Sequence, residues 1–111
     1  MIEHSLADAL EDETIDAVVF CGGTGIAPKD VTIETVTPML SKILPGFGEL
    51  FRQLSYDSIG SAAILSRAIA GLARGKAVFC VPGSLDAVGL CFDKLILPEA
   101  GHIVKHSREI P

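Results

Sequence analysis

The chain has 111 residues, of which 49% are hydrophobic and 21% charged, with a mean hydropathy of +0.46; this is one small core and too apolar a composition for disorder. Nine Lys and Arg against 14 Asp and Glu give a net charge of −5 with no basic block, which excludes nucleic acid and an anionic membrane surface as main partners. The apolar runs fall far short of the ~20 residues of a membrane span, no basic-then-apolar leader opens the chain, and three cysteines without a CxxC fit reduced thiols, so a cytoplasmic protein is expected.

Ile2, Leu6, Ala9 and Leu10 recur at helical spacing. Residues 16–21 (Asp-Ala-Val-Val-Phe-Cys) are a short apolar run closed by Gly22-Gly23, the pattern of a strand and a glycine turn. Thr32 is placed to cap a helix over residues 33–44, which Pro38 should bend because it cannot donate to a helical hydrogen bond. Pro45-Gly46 breaks the pattern, and Phe47, Leu50, Phe51 and Leu54 share one face of the next helix. Ser61 can cap a third, whose stripe of Ile64, Leu65, Ala68, Ile69 and Leu72 stops between Gly71 and Gly75. Residues 76–81 read as a strand ended by Pro82-Gly83. Ser84 can cap a helix carrying Leu85, Val88, Phe92, Leu95 and Ile96, and Pro98 starts a final helix toward Arg108.

Both strand candidates are apolar throughout, as strands covered on two faces are, which favours an α/β sandwich. Two strands are too few for a sheet of the usual ~4 to 6, so others are missing or come from a neighbour. Repeats, low-complexity tracts and linkers are absent, and the chain reads as one unit.

Gly22-Gly23-Thr24-Gly25 stands at the carboxyl end of the first strand, where open α/β sheets place their ligands. Glycines let backbone amides approach an anion, and Thr24 adds a hydroxyl; a plain tight turn explains the same residues. The run matches neither the P-loop nor the dinucleotide fingerprint. Asp30, five residues after Gly25, can cap the following helix or hold Mg²⁺. Val81-Pro82-Gly83-Ser84 repeats the arrangement of turn and hydroxyl at the second strand's end. Ser66 and Arg67 are polar amid Ile64, Leu65, Ala68 and Ile69; a surface role is the default for Arg67, and an anion-binding role applies if it abuts the glycine loop. His102 and His106, four apart, could share a metal, but no third ligand is indicated and a solvated face is the reading. Cys21 and Cys80, near the strand ends, are read as small packing residues.

Taken together, residues 21–32 (Cys-Gly-Gly-Thr-Gly-Ile-Ala-Pro-Lys-Asp-Val-Thr), Leu44-Pro45-Gly46-Phe47-Gly48-Glu49, residues 65–71 (Leu-Ser-Arg-Ala-Ile-Ala-Gly) and Val81-Pro82-Gly83-Ser84 resemble the molybdenum cofactor biosynthesis domain of the MoaB/MogA type, shared with the gephyrin G domain. The resemblance runs from about Asp16 to the C-terminus. It implies a single molybdopterin-binding domain over 1–111, a three-layer α/β/α sandwich with a mostly parallel sheet, and a trimeric or hexameric homo-oligomer. In the family's active branch the terminal phosphate of molybdopterin attacks the α-phosphate of ATP, with Mg²⁺, and pyrophosphate leaves.

By motif position, the resemblance implies that Gly22, Gly23, Thr24 and Gly25 cradle phosphate and that Asp30 is the catalytic carboxylate and Mg²⁺ ligand. It likewise implies that Ser66 and Arg67 bind substrate, and that Pro82, Gly83 and Ser84 line the pterin side. Family members carry a strand-helix unit and a second site acid ahead of the position of Met1, which this sequence lacks. The sheet is therefore expected to be short of strands, and a non-catalytic pterin or nucleotide-binding module, or an assembly subunit, stands as the alternative.

Overall fold

In the computed structural model, which describes residues 1–109, the apolar run after the first helix forms β1 (Ala17–Cys21). It lies parallel to β4 (Lys76–Val81), in register from Ala17 opposite Ala77 to Cys21 opposite Val81. Every residue of β4 is buried, the apolar run from Ala77 to Val81 and, at its start, Lys76. Positions 110 and 111, the end of the domain expected over 1–111, lie outside the described residues.

The sheet has four strands in the order β1-β4-β3-β2, with β2 at Lys42–Ile43 and β3 at Ile69–Ala73. It is mixed rather than mostly parallel: β1 and β4 run parallel, while the β4–β3 and β3–β2 pairings are antiparallel. The correction comes from residues 69–73, expected as the end of a helix. Arg74 (φ 53°) and Gly75 (φ 73°) both take positive φ, the backbone of a two-residue turn that matches strand twist and pairs Ala73 with Lys76. The Ile69–Leu72 spacing that reads as helical thus belongs to a strand, and only a 3₁₀ turn (Gly60–Leu65) stands where Ser61 was expected to cap a helix. Gly71 lies against the Lys42 carbonyl, and its lack of a Cβ lets β2 come close.

The helix expected over residues 33–44 is realised only in its first half. α2 (Thr32–Val36) passes into a 3₁₀ turn (Thr37–Met39) containing Pro38, after which the chain extends into β2. Thr32 is not the cap: the N-cap position is Val31, with no side-chain cap bond. Ser84 does cap, its Oγ accepting the Ala87 N–H at 3.2 Å.

Helices cover both faces and complete three layers. α1 (Ile2–Glu11) and α2 close over Val78 and Cys80 of β4 through Leu6 and Val36. On the other face α3 (Pro45–Ile59) and α4 (Leu85–Cys91) bury Phe51 and Cys91, and the turn between α4 and α5 (Leu97–Ser107) buries Ile96, against Ala77, Phe79 and Val81. α4 runs into α5 through a π turn (Phe92–Ile96) just ahead of Pro98, where a widened turn accommodates a residue without an N–H. Because successive side chains of a strand alternate faces, β4 supplies both cores at once.

Candidate functional site

At the carboxyl ends of the parallel pair, the loops after β1 and β4 touch: a Cβ on Gly83 would lie 3.2 Å from Gly22 Cα. Gly22 (φ 106°) and Gly23 (φ 67°) turn the chain away from the sheet in conformations that favour glycine. Thr32 then locks the loop, its N–H donating to the Gly23 carbonyl at 3.0 Å and its Oγ1 to the Gly22 carbonyl at 3.0 Å. A side chain on Gly23 would collide with Thr32 Oγ1.

The four residues of the glycine run do different things. The Gly22 N–H extends the sheet, donating to the Val81 carbonyl at 2.8 Å. Among the described residues, the N–H groups of Gly23, Thr24 and Gly25 donate to no protein acceptor. The Ile26 N–H is unpartnered among them too, so four consecutive amides are free, of which those of Gly23, Thr24 and Gly25 belong to residues lining the hollow at this turn; free amides in a concave turn are the donor arrangement that accepts an anion's oxygens. Thr24 itself is buried.

Asp30 stands beside this turn. Its Oδ2 accepts the Ala27 N–H at 3.1 Å, and a Cβ on Gly25 would lie 2.7 Å from the same oxygen, so glycine lets the carboxylate reach the loop backbone. It closes the 27–30 turn rather than capping α2, and Oδ1 accepts no hydrogen bond among the described residues. No three His, Cys, Asp or Glu side chains there form a metal cage. One carboxylate beside free amides nevertheless suits Mg²⁺, which is ordinarily held by one or two carboxylates together with substrate phosphates and water.

Arg67 reaches the loop from the segment between the 3₁₀ turn and β3, not from the helix expected there. Its Nε donates to the Thr24 carbonyl at 2.8 Å, and its Nη2 to the carbonyls of Gly25 (2.6 Å) and Asp30 (3.3 Å). Glu34 of α2 pairs with it at 2.6 Å through Nη1 and 3.3 Å through Nη2. The guanidinium therefore grips the loop's carbonyls and orients the peptide planes that carry the Gly25 and Ile26 N–H groups, while the two Thr32 bonds orient those that carry the Gly23 and Thr24 N–H groups; only Nη1 keeps a hydrogen without a partner among the described residues. That hydrogen bond from Arg67 holds the Glu34 carboxyl below the ordinary glutamate range. Glu34 was not anticipated: its partner is 33 residues away, and no local spacing signals the pair.

Gly22, Gly23, Thr24, Gly25, Asp30, Ser66, Arg67, Pro82 and Gly83 all line one hollow of about 370 Å³. Ser66 and Pro82 also line a second hollow, of about 520 Å³, between α3 and α4, where Ser84 lies with Phe51, Asp86 and Lys94. All ten residues picked out by motif thus fall on two adjoining hollows, with an anion-accepting turn in one and mixed apolar and polar walls in the other. Phe51, Asp86 and Lys94 were not singled out as site residues, because their helical spacing carries no chemical mark. Cys21 is exposed at the end of β1, contrary to its reading as a packing residue, while burial pushes the Cys80 and Cys91 thiols up to about 12.

The family described as a probable molybdopterin binding domain matches residues 1–102. The chain is 55% identical over 109 residues to molybdenum cofactor biosynthesis protein B of Bacillus subtilis, covering 97% of this chain and 64% of that protein. With the same-named protein of Halalkalibacterium halodurans it shares 52% over 105 residues, 94% of this chain and 62% of that one. A crystal structure of molybdenum cofactor biosynthesis protein B superposes with a TM-score of 0.92 at 50% identity, over 96% of this chain and 66% of that one. The tungsten cofactor synthesizing protein MoaB of Pyrococcus furiosus gives 0.84 at 42%, over 96% and 70%. The chain spans a little under two thirds of the length of the curated relatives it matches. On the strength of the matched residues and of the two loops meeting at the ends of β1 and β4, this chain belongs to the family of probable molybdopterin binding domains.

Proposed function

We propose that this chain binds molybdopterin through its phosphate and serves molybdenum cofactor biosynthesis by transferring an adenylyl group to it from ATP. The observation that carries the reading is the row of amides at Gly23, Thr24 and Gly25, unpartnered among the described residues, in a loop that with Asp30 lines a hollow of about 370 Å³. A phosphate nucleophile is already ionised at neutral pH, so the reaction asks for alignment and charge neutralisation rather than a strong base.

The loop amides hold the phosphate oxygens; Thr32 keeps the Gly23 and Thr24 amides presented, and Arg67, paired with Glu34, does so for Gly25. The Pro82-Gly83-Ser84 loop and the adjoining hollow receive the organic body of the pterin. Asp30 Oδ1 is the group that would hold Mg²⁺, whose chemistry is to neutralise phosphate charge. The relatives' names, which refer to molybdenum and tungsten cofactors, support a pterin-bound metal as the end product. Assembly into a trimer or hexamer, expected from the family resemblance, is part of the same proposal.

A second reading, binding without turnover, is favoured by the single carboxylate among the hollow's lining residues. The test is to incubate the chain and its Asp30→Asn variant with molybdopterin, ATP and Mg²⁺ and to measure pyrophosphate and adenylylated pterin. Adenylyl transfer predicts product from the parent chain and roughly a hundredfold less from the variant, with molybdopterin affinity little changed. Tight molybdopterin binding with no pyrophosphate from the parent would favour the second reading.

A further inference from the structure

A different set of ligating side chains lies on the exposed side of α5. His102 and His106 are one helical turn apart, and their Nε2 atoms face each other at 2.9 Å. Each ring has a carboxylate at its other nitrogen: Glu99 Oε1 is 3.1 Å from His102 Nδ1, and Glu109 Oε1 is 2.7 Å from His106 Nδ1. An ionised carboxylate only accepts, so the ring hydrogen of each neutral imidazole belongs on Nδ1. Both Nε2 lone pairs then point at one another at a distance where one nitrogen should be donating. A cation shared between them removes the conflict.

We propose that Glu99, His102, His106 and Glu109 form a binding site for a divalent transition-metal ion of the imidazole-preferring class, such as Zn²⁺ or Cu²⁺. The two Nε2 atoms are the ligands, and the two carboxylates orient the rings, as outer-shell acids do at histidine metal sites. Metal–nitrogen bonds of ~2.0–2.1 Å at a tetrahedral angle place two nitrogens about 3.3 Å apart. The observed 2.9 Å therefore needs to open by only a few tenths of an ångström, through side chains more than half exposed and free to turn. Water fills the remaining positions, since no third protein ligand joins the pair among the described residues. Lys42 and Glu109 line the same hollow, and the neighbouring Arg108 guanidinium is turned to the Gly75 carbonyl and Asp16. The pair lies beside Gly75, at the start of β4, whereas the candidate phosphate loop meets that strand's other end. The ion is thus separate from any metal at Asp30, and the proposal does not depend on the proposed function.

The experiment uses the chain carrying Cys21→Ser, which removes the exposed thiol as a competing ligand. Zn²⁺ titration by calorimetry should give one site per chain, weakened at least tenfold by His102→Ala and by His106→Ala, and less by Glu99→Gln or Glu109→Gln. Alanine favours helix, so circular dichroism should report α5 intact in the variants. Independently of any variant, the Cu²⁺ form should show an electron paramagnetic resonance spectrum with two imidazole nitrogens. Zn²⁺ affinity unchanged in the His102→Ala/His106→Ala double variant, or a Cu²⁺ spectrum with one nitrogen or none, overturns the proposal and leaves a shared proton between the rings.

Discussion

At the scale of single residues, the site depends on glycines that free the backbone and on side chains that hold it in place. Gly23 sits at φ 67°, and a methyl group there would strike Thr32 Oγ1. Gly23→Ala should therefore cost about 2–3 kcal/mol of stability in a urea melt, from left-handed strain and the broken Thr32 bond, and should abolish molybdopterin binding. Gly46→Ala, in the first turn of α3 where a methyl meets nothing, is the control that should leave binding unchanged without lowering stability. The Glu34–Arg67 pair makes a pH-dependent contribution. The folded state lowers the Glu34 pKa, so the pair stabilises above the ordinary glutamate range and is lost as pH falls through the lowered value. A small deficit in the melting temperature of Glu34→Gln at pH 7 should accordingly close in acid, once the pH has fallen through the lowered Glu34 value, as differential scanning calorimetry would read.

At the scale of elements, the strands flanking the site were legible because β1 and β4 are apolar on both faces, and the helices around Phe47–Leu54 and from Leu85 onward because of their apolar spacing, although Pro45 and Gly46, read as a break, open α3 and it runs on to Ile59. The middle of the sheet was not. Ile69-Ala70-Gly71-Leu72-Ala73 has one β-branched residue and the spacing of a helix, and it is a strand because partners on both edges take its backbone. The signal that could have found it was Arg74-Gly75, a two-residue connection to the next strand. β4 begins with a second feature that local pattern hides. Lys76 is 6% exposed, and its Nζ donates to the carbonyls of Asp12 (2.7 Å) and Ile15 (2.6 Å), tying the α1–β1 connection to the sheet. Lys76→Met should cost about 2–4 kcal/mol in equilibrium unfolding, because the substitution removes both charge-assisted bonds and strands two carbonyls.

At the scale of the whole molecule, all ten residues suggested by motif converge on two adjoining hollows, since parallel β1 and β4 end on the same side of the sheet. What the sequence did not disclose is the division of labour inside the motif. Gly22 spends its amide on Val81, Arg67 spends its guanidinium on the loop, and Gly23, Thr24 and Gly25 are left with free donors. Hydrogen bonds across 43 residues decide this, and no spacing rule reaches so far. The account stands on those three amides. Titrating the ¹⁵N-labelled chain with molybdopterin and following backbone amide shifts tests it most directly. The Gly23, Thr24 and Gly25 resonances should move furthest, with Gly22, held in the sheet, moving least of the four; saturable binding that leaves those three in place while shifting amides elsewhere would contradict the account.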